Sequence, residues 1–277
     1  MREEAADASG GPAVKKTDHL TEYYGKYNEE KRLLHRYGQI EYRTTMKYVE
    51  ECIGDRQGLR ILDVGCATGR YLIPLAEKGH ELTGVDYVNY NLGILRQKAE
   101  RLGLSVTAKQ GDARDLSKYP EDHYDIVLFL GPMYHLFTEE DKVRALTEAK
   151  RVLKPGGFLF AGYIMNEFGV IRFGIMDGNI ADSVSQGKLD RDFHIRNTEE
   201  DLFSFDTPED IDRYRRKAGL RRVKILSQDG PTNYMRQAVE ALSDEAYELY
   251  YAYHLSTCER PDLLGAGCHT LDILTKD

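Results

Sequence analysis

Asp63-Val64-Gly65-Cys66-Ala67-Thr68-Gly69 stands between a short apolar run over residues 59–64 and a helical pattern over residues 70–78. It is therefore a tight turn from a strand end into a helix start. Glycine at such a turn lets the backbone bend sharply and lets a ligand approach without meeting a Cβ. The helix behind it presents oriented N–H donors. An ordinary strand-to-helix turn needs the same residues, so the loop gains meaning only from what surrounds it.

Outward from the loop, apolar runs alternate with helical patterns. Residues 81–86 form a second strand, and residues 89–102 an amphipathic helix closed by Gly103 at its C-cap. Residues 104–110 form a third strand. Residues 124–130 are strongly apolar, as parallel strands buried on both faces are. A helix over 139–153, the turn Lys154-Pro155-Gly156-Gly157 and a fifth strand over 158–164 follow. Residues 165–206 are rich in Gly, Asp and Asn and fit no regular spacing. Thr207-Pro208-Glu209-Asp210 restarts a helix, with Thr at the N-cap, Pro in the first turn and acids at the positive end. Residues 221–227 form a sixth strand and residues 269–276 a last one. Between them, residues 233–257 read as helical and carry Tyr247, Tyr250, Tyr251 and Tyr253. Ahead of the loop, residues 19–57 are helical and polar-aromatic, with Tyr23, Tyr24, Tyr27, Tyr37, Tyr42 and Tyr48. Such alternation implies a mostly parallel sheet with right-handed crossovers. Ligands of these sheets bind beyond the carboxyl ends of the strands.

Two strand ends add the chemistry. Asp86 closes the second strand roughly 20 residues beyond the loop, where a carboxylate can accept both hydrogen bonds of a ribose diol. Gly111-Asp112-Ala113 closes the third, and Asp112 can accept from an adenine amino group. Nicotinamide enzymes show Gly-x-Gly-x-x-Gly. Here the spacing is Gly-x-Ala-x-Gly, with Asp63 two residues upstream.

With these acids, the loop resembles the first motif of the class I S-adenosylmethionine-dependent methyltransferases (the type 11/25 branch), acid-x-Gly-x-Gly-x-Gly. Ala67 stands where the middle glycine is usual. The resemblance runs from about Arg60 to Ile164 and includes Asp125 and Arg151-Val152-Leu153-Lys154-Pro155-Gly156-Gly157. It implies a Rossmann-like α/β three-layer sandwich whose sheet has the order 3-2-1-4-5-7-6 with strand 7 antiparallel. N-terminal helices and a helical or irregular cap complete that architecture. It also implies S-adenosylmethionine as methyl donor and S-adenosylhomocysteine as product. By position, Gly65, Cys66, Ala67 and Gly69 would line the methionine part and ribose, and Asp63 would face the amino group. Asp86 would hold the ribose hydroxyls with Tyr87 beside the adenine, Asp112 and Ala113 would hold the adenine edge, and the Leu130 carbonyl region would meet the methionine end. Tyr24, Tyr27 and Arg32 are candidates to fold over the cofactor, with surface packing as the alternative.

Methyl transfer is an in-line displacement for which a protein mainly supplies alignment, an effect of about 7–11 kcal/mol. A hydroxyl or ammonium acceptor must also lose a proton, and a placed base gives about 10²–10⁴-fold. A carboxylate needs no base. His135, in Gly131-Pro132-Met133-Tyr134-His135-Leu136, is the candidate base; local packing at a helix start is its alternative. Tyr134, His135, Tyr163 and Asn166 are the candidate acceptor contacts, and His194 is a further candidate in the irregular segment. Residues 165–206 and 233–257 are the candidate acceptor cap, the alternative being plain cover for the sheet. Cys268-His269 lacks the spacing and partners of a zinc site, so no metal is expected.

The division expected along the chain is a disordered tail over 1–18, a helical segment over 19–58, the cofactor-binding core over 59–164, a cap over 165–206 and the rest of the sheet with its Tyr-rich helix over 207–277. No apolar stretch is long enough to span a bilayer, the N-terminus has no apolar signal core, and Cys52, Cys66, Cys258 and Cys268 lack paired spacing. A cytoplasmic protein with free thiols is expected. The net charge of −8 disfavours nucleic acid except at a local patch, and Arg213, Arg215, Arg216, Lys217, Arg221, Arg222 and Lys224 form one. The expected acceptor is a small metabolite or peptide, methylated at oxygen (a carboxylate among the options) or nitrogen. An RNA or protein methyltransferase using the basic patch, and a non-catalytic cofactor-binding module, are the alternatives. Oligomeric state is not legible.

Overall fold

The computed structural model describes residues 20–23 and 29–277. The tail over 1–18, Tyr24 and Tyr27 lie outside the described residues. Seven strands form one sheet: β1 (Arg60–Val64), β2 (Glu81–Asp86), β3 (Val106–Gln110), β4 (Tyr124–Phe129), β5 (Leu153–Ile164), β6 (Arg221–Ser227) and β7 (His269–Thr275). Their order is β3-β2-β1-β4-β5-β7-β6. Strands β1 to β5 pair in parallel, and β7 is antiparallel to both β5 and β6. This is the Rossmann-like sandwich that the resemblance implied.

The period-2 alternation of the strands separates two cores. Leu62, Val64, Val127, Phe129, Leu159, Ala161 and Tyr163 face one side, with Leu146 and Ala149 of the Glu139–Val152 helix and Ile211 and Tyr214 of the Pro208–Ala218 helix. Ile61, Ile126, Leu128, Phe160, Leu271 and Ile273 face the other, with Val49 and Ile53 of the Arg36–Ile53 helix, Leu72, Leu75, Leu92 and Leu95. The Pro208–Ala218 helix starts as read: Thr207 accepts from Asp210 N–H while the Asp210 side chain accepts from the Thr207 backbone, a reciprocal cap.

Three stretches differ from the sequence reading. Lys154-Pro155-Gly156-Gly157 lies inside β5, which starts at Leu153 and crosses a register shift opposite Tyr124 and Ile126. Lys154 Nζ reaches Asp125 Oδ1 at 2.6 Å, and Asp125 Oδ2 accepts from Arg60 N–H at 2.9 Å, so this pair ties β5, β4 and β1. Residues 165–206 are not irregular throughout: Asn166–Gly169, a wider turn over Val170–Met176 and Ile180–Ser185 are helical. Residues 233–257 form two helices, Arg236–Glu240 and Asp244–Thr257, rather than one. Among the described residues no helix is long and apolar enough to cross a membrane.

Candidate active site

A cavity of about 980 Å³, open mouth included, lies at the carboxyl ends of β1 to β4. Gly65, Ala67, Asp86, Tyr87, Asp112, Ala113, Tyr134 and His135 line it together with Val88, Asn91 and Pro132. The loop after β1 is bound to the end of β2. Val85 C=O accepts from the N–H groups of Gly65 and Cys66, at 2.7 and 3.1 Å. Asp86 Oδ2 accepts from Ala67 N–H and Oδ1 from Val88 N–H, both at 2.8 Å. Gly65 has φ +80°, and a Cβ there would lie 2.9 Å from Pro132 Cδ, so only glycine fits. Ala67, in the place of the usual middle glycine, also has positive φ, at +44°.

Asp63 lies beneath this loop, buried, with Oδ2 lacking any hydrogen-bond partner. Burial, and then the charge of Asp86, push its pKa up to about 8. A buried carboxyl group with an unused oxygen is a ready receptor for an ammonium. Asp112 is not open in the same way. Arg114 grips its carboxylate with Nε and Nη2, at 3.0 and 2.6 Å, and with its backbone N–H at 2.8 Å. Burial works against the charge, but these bonds hold Asp112 below the usual carboxylate range.

Several expected site residues lie elsewhere. The Cys66 side chain packs in the core with Leu72 and Leu95. Gly69 has φ +84° and is needed for close packing on Leu95, off the cavity wall. The Leu130 carbonyl backs onto Gly162 of β5. Tyr163 is fully buried, because its parity on β5 turns it to the core side with Ile211 and Tyr214. Asn166 clamps the cap instead: Nδ2 donates to Phe193 C=O at 3.0 Å and Oδ1 accepts from Ile195 N–H at 2.9 Å. His194 is exposed beside Asp190. Tyr247 packs on Ile40 and Val239, Tyr250 meets Thr232, and Arg43 covers Tyr251, so the Tyr-rich helix covers the Arg36–Ile53 helix rather than a cavity.

A second cavity, about 960 Å³ with its mouth, adjoins the first. Tyr134 lines both. Its walls are Phe168, Phe173, Phe203 and Phe205 from the cap, Tyr23 and Arg32 from the N-terminal segment, and Arg172, Arg236, Cys268 and His269. Ser204 docks the cap by donating its hydroxyl to Leu136 C=O at 2.9 Å and its N–H to Tyr134 C=O at 2.8 Å. This sets the Phe203 ring edge-on to Tyr134 at 6.0 Å. His135 Nδ1 donates to Leu202 C=O at 3.0 Å, which leaves Nε2 as the basic nitrogen. Burial lowers the His135 pKa to about 4. It is thus a weak proton acceptor, and it lines the first cavity rather than the second.

His269 does have partners, contrary to the sequence reading. Antiparallel pairing of β6 with β7 sets it beside Asp229, which sequence spacing does not reveal. Its Nδ1 lies 2.7 Å from the fully buried Asp229 Oδ2 and 3.4 Å from Glu41 Oε2. Asp229, Cys268 and His269 converge within 4.8 Å. The Asp229 oxygens already accept from His269 and Asn233, so the cluster is a hydrogen-bonded relay. Burial opposes charge on His269, yet Cys268, Glu41 and Asp229 raise its pKa well above the usual value.

The methyltransferase-domain family model matches residues 61–157, which contain the loop and the strand ends described above. Residues 61–157 are a methyltransferase domain. The chain is similar to the ubiquinone biosynthesis O-methyltransferase of Alkalilimnicola ehrlichii, 28% identical over 66% of the chain and 69% of that relative. The protein of the same name from Cereibacter sphaeroides is 35% identical, over 37% of the chain and 40% of its own length. In fold it is similar to an S-adenosylmethionine-dependent methyltransferase of Methanosarcina mazei, with TM-score 0.54 and 16% identity over 80% of the chain and 93% of that structure.

The basic patch of the chain is neutralised. Arg213 and Lys217 pair with Glu139, Arg215 and Arg216 with Asp212, Arg221 with Asp277, Arg222 with Asp272 and Lys224 with Glu259. Such a surface has little charge left for a nucleic-acid backbone.

The His269 relay makes a pH prediction. A histidine raised in the fold stabilises it fully below the usual 6.5, and that contribution is lost as pH climbs through the raised value. Asp229→Asn should lower the His269 titration midpoint, followed by imidazole NMR, and narrow the stability gap to wild type at high pH. An unmoved midpoint would contradict the pairing.

Proposed function

We propose that this protein holds S-adenosylmethionine in the first cavity and methylates an oxygen or nitrogen of a small molecule held in the second. The observation that carries this reading is that Tyr134 forms a wall of both cavities. In-line displacement needs the methyl group and the receiving atom in direct contact, so donor and acceptor would meet past the edge of this ring, where the two cavities share a wall residue. When bound, the cofactor supplies a methyl group on a cationic sulfur and leaves as S-adenosylhomocysteine.

In this reading Asp63 receives the amino group of the methionine part, since its Oδ2 is buried and unpartnered. Gly65 and Ala67 give the backbone clearance for close approach. Asp86 takes the ribose hydroxyls with the lone pairs that Ala67 and Val88 leave over. Tyr87 stands beside the adenine. Because Arg114 occupies the Asp112 carboxylate, the adenine edge falls to the backbone at Asp112 and Ala113 rather than to that side chain. The relatives named as O-methyltransferases favour oxygen as the receiving atom.

The phenylalanines of the cap exclude water and hold the acceptor against Tyr134. Alignment then supplies most of the rate. His135 is assigned to the wall and not to proton removal, because burial weakens it as a base. His135→Asn should keep kcat within about tenfold of wild type, whereas loss of a working base costs about 10²–10⁴-fold. A drop of that larger size, with cofactor affinity intact, would restore His135 as the base.

Cofactor binding has its own test. At pH 7 the Asp63 carboxyl is largely protonated, its pKa being about 8, and an ammonium partner favours the ionised form. Binding S-adenosylhomocysteine should therefore release a proton, read by calorimetry in buffers of different ionisation enthalpy. Asp63→Asn should abolish the Asp63 share of that release. Equal release by wild type and variant would remove Asp63 from the site.

A further inference from the structure

We propose that the second cavity selects an acceptor bearing an oxyanion, a carboxylate or an ionised phenol, on a flat apolar body, with Arg236 as the anchoring cation. The proposal deepens the reading that this cavity holds the acceptor and rests on it.

Among the described residues the charges on the wall are all of one sign: Arg32, Arg172, Arg236 and His269 line the cavity, and no described carboxylate does. The acids stand behind the wall. Glu41 takes Arg32 in a two-pronged pair at 2.7 and 3.0 Å. Asp177 pairs with Arg172, and Asp229 with His269. Arg236 differs from these three. Its Nε and Nη2 both donate to Asn233 Oδ1, at 2.9 and 2.6 Å, and that acceptor is a neutral amide.

Arg236 is thus positioned with no carboxylate in direct contact among the described residues, although its charge is felt by the buried Glu41, which pairs with Arg32. Asn233 is itself held by Asp229, through Nδ2 to Oδ2 at 2.6 Å. The Tyr37 ring lies 4.9 Å from the Arg236 guanidinium carbon and supports its plane. A guanidinium is planar and carries N–H donors beyond those Asn233 uses, so it suits an oxyanion. The chain as a whole has a net charge of −8. Three of the four described lining cations are ion-paired, so in this acidic chain Arg236 is the cation left to draw an anionic small molecule into the cavity.

The rest of the cavity fits the body of such a molecule. Phe173 sits edge-on to Phe168 and to Phe205, at 5.9 and 6.1 Å between centroids. Flat apolar walls with a few converging polar groups are how small-molecule sites fix both shape and orientation.

The test is calorimetric, on the full chain saturated with S-adenosylhomocysteine. The probes are a panel of benzoates and cinnamates and their primary amides. The expected result is that carboxylates bind and the matching amides bind at least about tenfold more weakly. Arg236→Gln should weaken the carboxylates by about tenfold or more while amide and S-adenosylhomocysteine affinities stay unchanged, which also reports an intact fold. Arg236→Lys should recover part of the loss. Amides binding as well as carboxylates, no carboxylate binding, or a carboxylate affinity indifferent to Arg236→Gln would overturn the proposal. Mass spectrometry after adding S-adenosylmethionine separates the two readings. Methylated products from neutral acceptors alone would overturn the anion site and keep the acceptor cavity. Arg236-dependent carboxylate binding without any methylated product would keep the anion site and overturn the acceptor cavity.

Discussion

Asp86 holds the first cavity in shape. Its two oxygens accept from Ala67 N–H and Val88 N–H, so one carboxylate joins the loop after β1 to the turn after β2. Ala67 sits at a positive φ that costs an L-residue roughly 1–2 kcal/mol. A hydrogen bond to a charged group contributes about 1.5–3 kcal/mol, enough to offset that cost. The same charge, added to burial, raises the Asp63 carboxyl below the loop. The first cavity is therefore one connected object: remove Asp86 and the loop, the strand end and the state of Asp63 all change together.

The sheet was legible because its parallel strands are short, apolar and punctuated. Glu81–Asp86 and Arg221–Ser227 lie where the sequence puts them, since both run between glycine-rich or helical neighbours with clear boundaries. The lining of the first cavity was legible for a related reason: Gly65, Ala67, Asp86 and Tyr87 stand at strand ends, and strand ends are visible as ends of apolar runs. What failed depended on side-chain partners. Arg114, two residues from Asp112, takes its carboxylate, and no pattern of apolar residues announces that. Tyr163 follows the alternation of β5, but which face meets the Pro208–Ala218 helix is settled by packing. The second cavity joins residues from Tyr23 to His269, brought together by a cap and an antiparallel strand pair. Its traces in the sequence were Tyr134, Arg32 and the reading of residues 165–206 as a cap; the phenylalanines of that stretch, large apolar residues among polar ones, were a further signal that went unread.

The electrostatics of the two cavities complement each other. Asp86 lines the first cavity and Asp63 lies buried beneath its loop, and burial raises the pKa of both carboxyls. In the second cavity the described lining charges are cationic, and Tyr134 lines both cavities. On the outer surface, by contrast, the basic run near the Pro208–Ala218 helix is spent on Glu139, Asp212 and other acids. In the second cavity Arg32, Arg172 and His269 are likewise matched, and Arg236, held by a neutral amide, is the exception.

The most direct measurement of this account is titration calorimetry of S-adenosylmethionine against wild type and Asp86→Ala, with circular dichroism to verify the fold. If one carboxylate organises the donor pocket, the variant keeps its helix and strand content and loses most of its affinity. Unchanged affinity in a folded Asp86→Ala protein would contradict the account at its foundation.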